Sequence, residues 1–325
     1  MSEPDKLRLA TRGSPLARWQ AERVGQLLGA LGIATELVVV ETEGDRRRDV
    51  SIDRLGGQGV FVKEVQAAVA RGDADAAVHS AKDLPASELP GLADLHLAAF
   101  PERADVRDTL IGGTLDTLPT ASTVATGSAR RRAQLSNIRP DLLFADLRGN
   151  LATRIATAGT GRIAAVVVAQ AALDRLGWLP PAGVATEVLR TEVMVPQVGQ
   201  GALAVECRAD DARTSAALSA IDDPVVRRLV SAERAFLAEL GGGCTLPVGA
   251  YAQLAEGESA PRKGRQVMLS GMLAGFGGTV VLRQRRCGAD GEELGREVAR
   301  DLLERAGEDA DGDDGLAGPP AHARA

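Results

Sequence analysis

The sequence predicts an α/β protein of two or three domains. At 325 residues the chain is long enough for each domain to bury its own core. Short runs rich in β-branched residues alternate with stretches whose apolar residues recur at helical spacing, which describes strand–helix–strand units, right-handed crossovers and a mainly parallel sheet. That alternation occurs twice, before Phe100 and again from Thr123, and a third unit opens near Ile221.

Leu7–Arg12 reads as the first strand. Ser14 follows as N-cap with Pro15 at the first helical position, and Leu16, Trp19, Val24, Leu27, Leu28 and Leu31 form an apolar stripe that ends at Gly32. Thr35–Glu41 is a second strand. It leads into a charged, glycine-containing loop from Thr42 to Gly59, predicted to be mobile, and then a helix from about Val60 to Arg71 that stops at Gly72. A short apolar strand from Ala76 to Val78 then presents His79, Ser80, Lys82 and Asp83 before Pro85. Open α/β sheets place their ligands beyond the carboxyl ends of the strands, so Asp83 is the candidate active carboxylate. The bland alternative makes Lys82 and Asp83 solvated loop charges.

After Phe100 the segment Pro101–Gly113 reads as a connector. Strand Thr123–Thr126 turns at Gly127 and Ser128 into a helix that opens with Arg130, Arg131 and Arg132. Strand Leu142–Leu147 runs into Arg148, Gly149 and Asn150, followed by a helix carrying Arg154; strand Ile163–Val168 leads to a short helix with Arg175. Three strand ends in this half deliver arginine. Helix N-termini and guanidinium forks both favour carboxylates, so the pattern suggests an anion-binding surface, although Arg130–Arg132 could also be a solvated helix face. Val193–Arg208 reads as a short strand, a glycine turn and a further strand able to complete either sheet. A helix entered at Pro224 runs into GGGCTLPVGA, Tyr251–Arg286 is β-rich, a last helix covers about Glu292–Arg305, and the acidic, Gly- and Pro-rich stretch after Gly307 is predicted to be disordered.

Composition narrows the classes. The chain is 45% hydrophobic and 25% charged, ordinary for a soluble globular protein. No apolar run approaches a membrane span and MSEPDKLRLATR lacks a signal-peptide core, so a cytoplasmic protein is expected. Three cysteines, Cys207, Cys244 and Cys287, make no disulfide framework, and three scattered histidines make no metal site. Only four of the 38 basic residues are lysine. Such a bias fits a GC-rich genome, and it also fits selection for bidentate carboxylate or phosphate recognition. Aromatics are 2% of the chain, too few for nucleic-acid stacking platforms, so a small anion suits the arginines better than a polyanion. Cys244, between three glycines and Thr245, lies where backbone can approach a ligand closely and a thiol can be exposed, or it is simply a buried turn cysteine. Cys207 and Cys287 read as structural.

The motifs LATRGSPLA (Leu9–Ala17), TEGD (Thr42–Asp45), FVKE (Phe61–Glu64), VHSAKDLP (Val78–Pro85), LRGN with TR (Leu147–Arg154), VGQGA (Val198–Ala202) and GGCTLPVG (Gly242–Gly249) follow one another over about Leu7–Arg305. Each is weak alone. As an ordered set they closely resemble the porphobilinogen deaminase (hydroxymethylbilane synthase) family.

The resemblance implies three domains: residues 1–100 with 199–218, residues 101–198 and residues 219–307, with 308–325 as a tail. The first two would be similar α/β domains arranged like a two-lobed binding protein around a cleft, and the third a smaller α+β domain. It implies a monomeric, cytoplasmic transferase of heme synthesis that joins four porphobilinogen units head to tail, each losing ammonia, and passes hydroxymethylbilane to uroporphyrinogen-III synthase. It further implies a dipyrromethane cofactor on a thioether to Cys244, a linkage that cytosolic thiols cannot exchange. Lys82, Ser128, Arg130, Arg131, Arg148 and Arg154 would hold that cofactor, and Arg12, Ser14 and Arg175 the substrate. Asp83 would be catalytic, stabilising the cationic azafulvene left when ammonia departs. Arg54 and Gln58 stand where family members often carry lysine, Gly127 replaces a hydroxyl residue, and Gly241 replaces a frequent glutamate. The rivals are a non-enzymatic carboxylate-binding protein, which needs neither Asp83 nor a modified Cys244, and a cysteine-dependent hydrolase, which needs a base beside the thiol.

Overall fold

The computed structural model describes residues 6–42, 62–86, 94–147, 149–241, 247–255, 265–275 and 280–310. In chain order the first half supplies β1 (Leu7–Arg12), α1 (Pro15–Gly29), β2 (Thr35–Val40), α2 (Lys63–Ala70), β3 (Ala76–Ser80), β4 (Leu95–Ala99), β5 (Asp108–Ile111), β6 (Thr123–Ala125), α3 (Ala129–Ile138), β7 (Leu143–Ala145), α4 (Leu151–Ala156), β8 (Ile163–Ala169) and α5 (Gln170–Arg175). The remainder supplies β9 (Thr186–Leu189), β10 (Leu203–Arg208), α6 (Ala212–Ser219), α7 (Pro224–Glu239), β11 (Val248–Leu254), β12 (Val267–Ala274), β13 (Val281–Gly288) and α8 (Gly291–Ala310). Two compact units result, Met1–Asp105 with Gly199–Val230 and Val106–Val198 with Ser231–Ala325.

The first unit is a five-stranded sheet in the order β2-β1-β3-β10-β4. Alternation along β1 sends Leu9 to the face where Val24, Leu28, Val78 and Val205 pack, and Ala10 to the opposite face with Val65, Val69 and Ala77. Both faces are therefore covered, which is why these strands read as nearly continuous apolar runs. Helix α1 starts where the sequence signals it: Ser14 is extended and its Oγ accepts from Ala17 N at 3.3 Å, with Pro15 just inside the helix.

The second unit holds a five-stranded sheet in the order β7-β6-β8-β5-β9 and a three-stranded antiparallel sheet, β11-β12-β13. Leu110, Val124, Leu135, Val167 and Met194 fill one side of the larger sheet, and Ile111, Ala125, Val166, Val168 and Leu173 the other. Ala133 of α3 and Val195 pack on Met272 and Ala274 of β12, joining the two sheets within this unit. Arg283 on β13 reinforces that seam, donating to the carbonyls of Glu192 and Val193 and to Gln134 Oε1.

Several expectations change. The five-stranded sheets are mixed rather than mainly parallel: β10 runs antiparallel to β3 and β4, and β5 antiparallel to β8 and β9. Residues taken as a connector contain β5, a four-residue strand that begins on the charged Asp108 and so lacks a strand signature. Val193 and Met194 lie in a turn, and only β10 follows, completing the first sheet. Cys207 is buried in β10 as expected, and burial pushes its thiol up to about 11. Cys287 is exposed on β13, so it is no part of a core. The loop residues 43–59 and the tail 311–325 lie outside the described residues.

Candidate active site

In the first unit, β1 and β3 are parallel neighbours, with Leu9 opposite Ala76 and Ala10 opposite Ala77. Their carboxyl ends thus meet at one edge of the sheet, where Arg12 closes β1 and Ser14 caps α1. Beyond β3 the chain makes one 3₁₀ turn, Ala81–Asp83, carrying Lys82 and the half-buried Asp83. This turn is tied down from the returning chain. Ala81 N donates to Ala202 O at 3.0 Å, and Lys82 Nζ reaches Gln200 Oε1 at 3.4 Å. Gly199 (φ +72°) presses so closely on the turn that a Cβ there would stand 3.0 Å from Ala81 C and Lys82 N. Only glycine combines that backbone with that approach. One residue earlier, Ser80 Oγ accepts from the buried Gln20 Nε2 at 2.7 Å.

His79, which the sequence grouped with the presented residues, instead faces inward. Its Nε2 lies 3.0 Å from Glu206 Oε2, and Gln66 Nε2 donates to both oxygens of Glu206 at 3.1 and 2.9 Å. All three are buried. The reason is strand alternation: His79 shares the face of Ala77, against which α2 and its Gln66 pack.

The second unit repeats the plan with arginines. Strands β6, β7 and β8 are parallel, so Ser128, Arg154 and Arg175, each just past one of them, lie toward one edge. Ser128 Oγ accepts from Arg131 N at 3.4 Å as the cap of α3. Arg130 and Arg131 do not lie on a solvated face: they are 2% and 8% exposed. Both grip Asp108, which is opposite Ala169 at the end of β8 and fully buried. Arg130 Nη2 donates to Oδ2 at 2.8 Å and Arg131 Nη2 to Oδ1 at 2.7 Å. Burial works to raise the Asp108 pKa, but the two guanidiniums overcome it and hold the carboxyl well below the ordinary range. Burial lowers Arg130, against the pull of Asp108 and aided by the like charge of Arg131.

Two buried guanidiniums facing one carboxylate carry a net positive charge, and Arg130 Nε, also buried, has no hydrogen-bond partner. A buried cationic excess with an open donor fits a ligand that brings carboxylates. Arg175 is buried as well, and Arg154 is more open, its Nε donating to Gly149 O at 2.8 Å. Arg132 is the surface residue of the trio, paired with the exposed Asp146 at 3.0 Å. Arg148 and Cys244 lie outside the described residues, as do Arg54 and Gln58. Described chain resumes at Pro247, and Gly249 lies so near Arg130 that a Cβ there would be 3.1 Å from its Cδ. Gly241 has φ +77° just past α7, where a left-handed residue terminates a helix, so glycine relieves there the strain a glutamate would carry. Among the described residues no helix is long and apolar enough to cross a membrane.

Sequence reasoning missed Asp108, Gln20, Gln66, Gln200 and Glu206. A charged residue opening an apolar run, as in DTLI, or a glutamate inside one, as in LAVECR, is the signal that marks a buried polar partner.

Two mixed α/β units of one topology, each gathering polar side chains at its strand ends and one of them cationic in its interior, define a class of protein made to hold small carboxylates. Residues 7–216 match the family model described as porphobilinogen deaminase, dipyromethane cofactor binding domain, and residues 228–304 match the porphobilinogen deaminase C-terminal domain. Porphobilinogen deaminase of Acidothermus cellulolyticus is 44% identical over 312 residues, covering 93% of this chain and 90% of that one. The same-named protein of Syntrophus aciditrophicus is 42% identical over 308 residues, covering 93% and 96%. The chain belongs to the porphobilinogen deaminase family.

Proposed function

We propose that this chain joins four porphobilinogen units head to tail with loss of ammonia, using a dipyrromethane cofactor, and releases hydroxymethylbilane, with Asp83 as its catalytic carboxylate. Family membership over most of the chain supports the reaction. The observation that carries the assignment of residues is the buried Arg130–Asp108–Arg131 cluster with its excess positive charge. Each pyrrole brings an acetate and a propionate, and carboxylates enclosed without partners cost several kcal/mol apiece, roughly.

Cys244 anchors the dipyrromethane by a thioether, and Lys82, Ser128, Arg130, Arg131, Arg148 and Arg154 receive its acids. When bound, that group supplies the fixed pyrrole end at which each incoming unit is joined. Arg12, Ser14 and Arg175 orient the incoming substrate by its own carboxylates. Asp83 faces the positive charge that develops as ammonia leaves, and its carboxylate stabilises that charge through bond formation and deprotonation. The turn that carries it is rigid, held by Gly199 and Gln200, so little reorganisation is needed when the charge appears. The enzyme acts as a cytoplasmic monomer, since a single chain supplies both the acid and the arginines, and its linear product passes to uroporphyrinogen-III synthase.

The test is the intact mass of the purified protein beside that of Cys244→Ala. An excess of two porphobilinogen units less their ammonia, present in the parent and absent in the variant, is expected. A parent at its bare sequence mass even after incubation with porphobilinogen contradicts the reading and favours a carboxylate-binding protein without catalysis.

A further inference from the structure

Asp108 does more at its position than balance charge. Its Oδ1 takes both Nη2 and Nε of Arg131, at 2.7 and 3.2 Å, while its Oδ2 takes Arg130 Nη2 at 2.8 Å. The remaining Nη1 groups are fixed by backbone carbonyls, Arg130 on Val195 O at 2.6 Å and Arg131 on Val167 O at 2.9 Å. Arg131 is thereby engaged at all three nitrogens. Arg130 is engaged at its two terminal nitrogens, and its buried Nε alone has no partner. Asp108 itself cannot drift, because β5 is hydrogen-bonded to β8 on one side and β9 on the other.

We propose that Asp108 is a positioning residue for carboxylate recognition: it clamps Arg130 and Arg131 side by side and leaves the Arg130 Nε–H as the donor that receives a pyrrole carboxylate. The inference rests on the reading of these arginines as cofactor receptors. A role in charge balance alone and a role in aim make opposite forecasts. Asp108→Glu keeps the charge but displaces the guanidiniums by a methylene. Asp108→Asn makes the cluster more positive, which should attract an anion more strongly, yet it releases the clamp.

The test follows the two-unit mass gain of full-length apoprotein incubated with porphobilinogen, for the parent, Arg130→Leu, Asp108→Glu and Asp108→Asn, with melting temperature measured beside it. The parent is expected to load and Arg130→Leu to stay unloaded. Folded Asp108→Glu and Asp108→Asn should load about tenfold more slowly, or worse, with a raised half-saturating porphobilinogen concentration. A folded Asp108 variant that loads at the parent's rate overturns the inference, and leaves the arginine reading intact if Arg130→Leu is still unloaded. A parent that never gains mass, or an Arg130→Leu that loads normally, removes that reading and the inference with it. Should both Asp108 variants unfold, arginine-selective NMR of the parent decides. On loading, the Arg130 Nε–H signal should shift while the Arg131 Nε–H, held by Asp108, stays; an unmoved Arg130 signal, or equal shifts of both, overturns the proposal.

Discussion

The two five-stranded sheets share one strand plan, and each buries an acid on its antiparallel fourth strand, Glu206 on β10 in the first unit and Asp108 on β5 in the second. What meets the acid differs. Glu206 is met by an amide and an imidazole, Gln66 and His79; Asp108 is met by two guanidiniums. The ends of the third strands differ in the same sense, since β3 leads to Asp83 and β8 to Arg175. One architecture therefore offers a carboxylate at its strand ends in one unit and cations in the other. The difference teaches that function here is written in which charge stands behind a common backbone, and the reading assigns turnover to the first unit and retention of acids to the second.

The largest effect should come from removing the negative charge at the first unit's strand end. Asp83→Asn is expected to fold as the parent does and to lose at least about a hundredfold in turnover. Steady-state kinetics with porphobilinogen measures this, and near-normal turnover breaks the proposed division.

A smaller effect should follow when the acid is kept but its support is moved. Gly199→Ala places a Cβ against Ala81 and Lys82 in a backbone conformation that costs about 1–2 kcal/mol for other residues. Turnover should fall about tenfold, with little change in cofactor content, because the turn bearing Asp83 shifts and the second unit does not. Equal loss of cofactor and of turnover would blur the comparison.

The interior acids sharpen it through pH. Asp108 has a folded pKa below its ordinary value, so its contribution to stability is fully present above the ordinary carboxylate pKa and is lost only as pH falls below it. Denaturant unfolding of a folded Asp108→Asn should show a deficit that is constant from neutral pH to about pH 5 and that shrinks only under more acid conditions. A deficit that disappears between pH 7 and pH 5 would contradict the assigned sign.

The smallest effects belong to the caps, which the two units have in common. Ser14→Ala and Ser128→Ala should each cost about 1 kcal/mol in chemical denaturation, as the loss of one capping bond does. Ser128→Ala alone should also slow cofactor loading.

Much of this was legible in the chain. The exit of β3 could be read because an apolar run ends abruptly in polar residues, and the helix starts at Ser14 and Ser128 because a capping hydroxyl precedes helical periodicity. The burial of Arg130 and Arg131 could not. Their partner lies 22 and 23 residues away at the head of a four-residue strand, and nothing local distinguishes RRR at a buried helix start from RRR on a wet one. The inward turn of His79 was hidden for a related reason. It depends on how far β3 extends and on Glu206, a residue of the returning strand β10.

The division between the units is tested most directly by the intact masses of Asp83→Asn and Arg130→Leu, side by side, after incubation with porphobilinogen. Asp83→Asn is expected to carry the two-unit excess while turning over slowly, and Arg130→Leu to remain at its sequence mass. The reverse pattern, or an equal excess on both, would contradict the assignment of turnover to one unit and retention to the other.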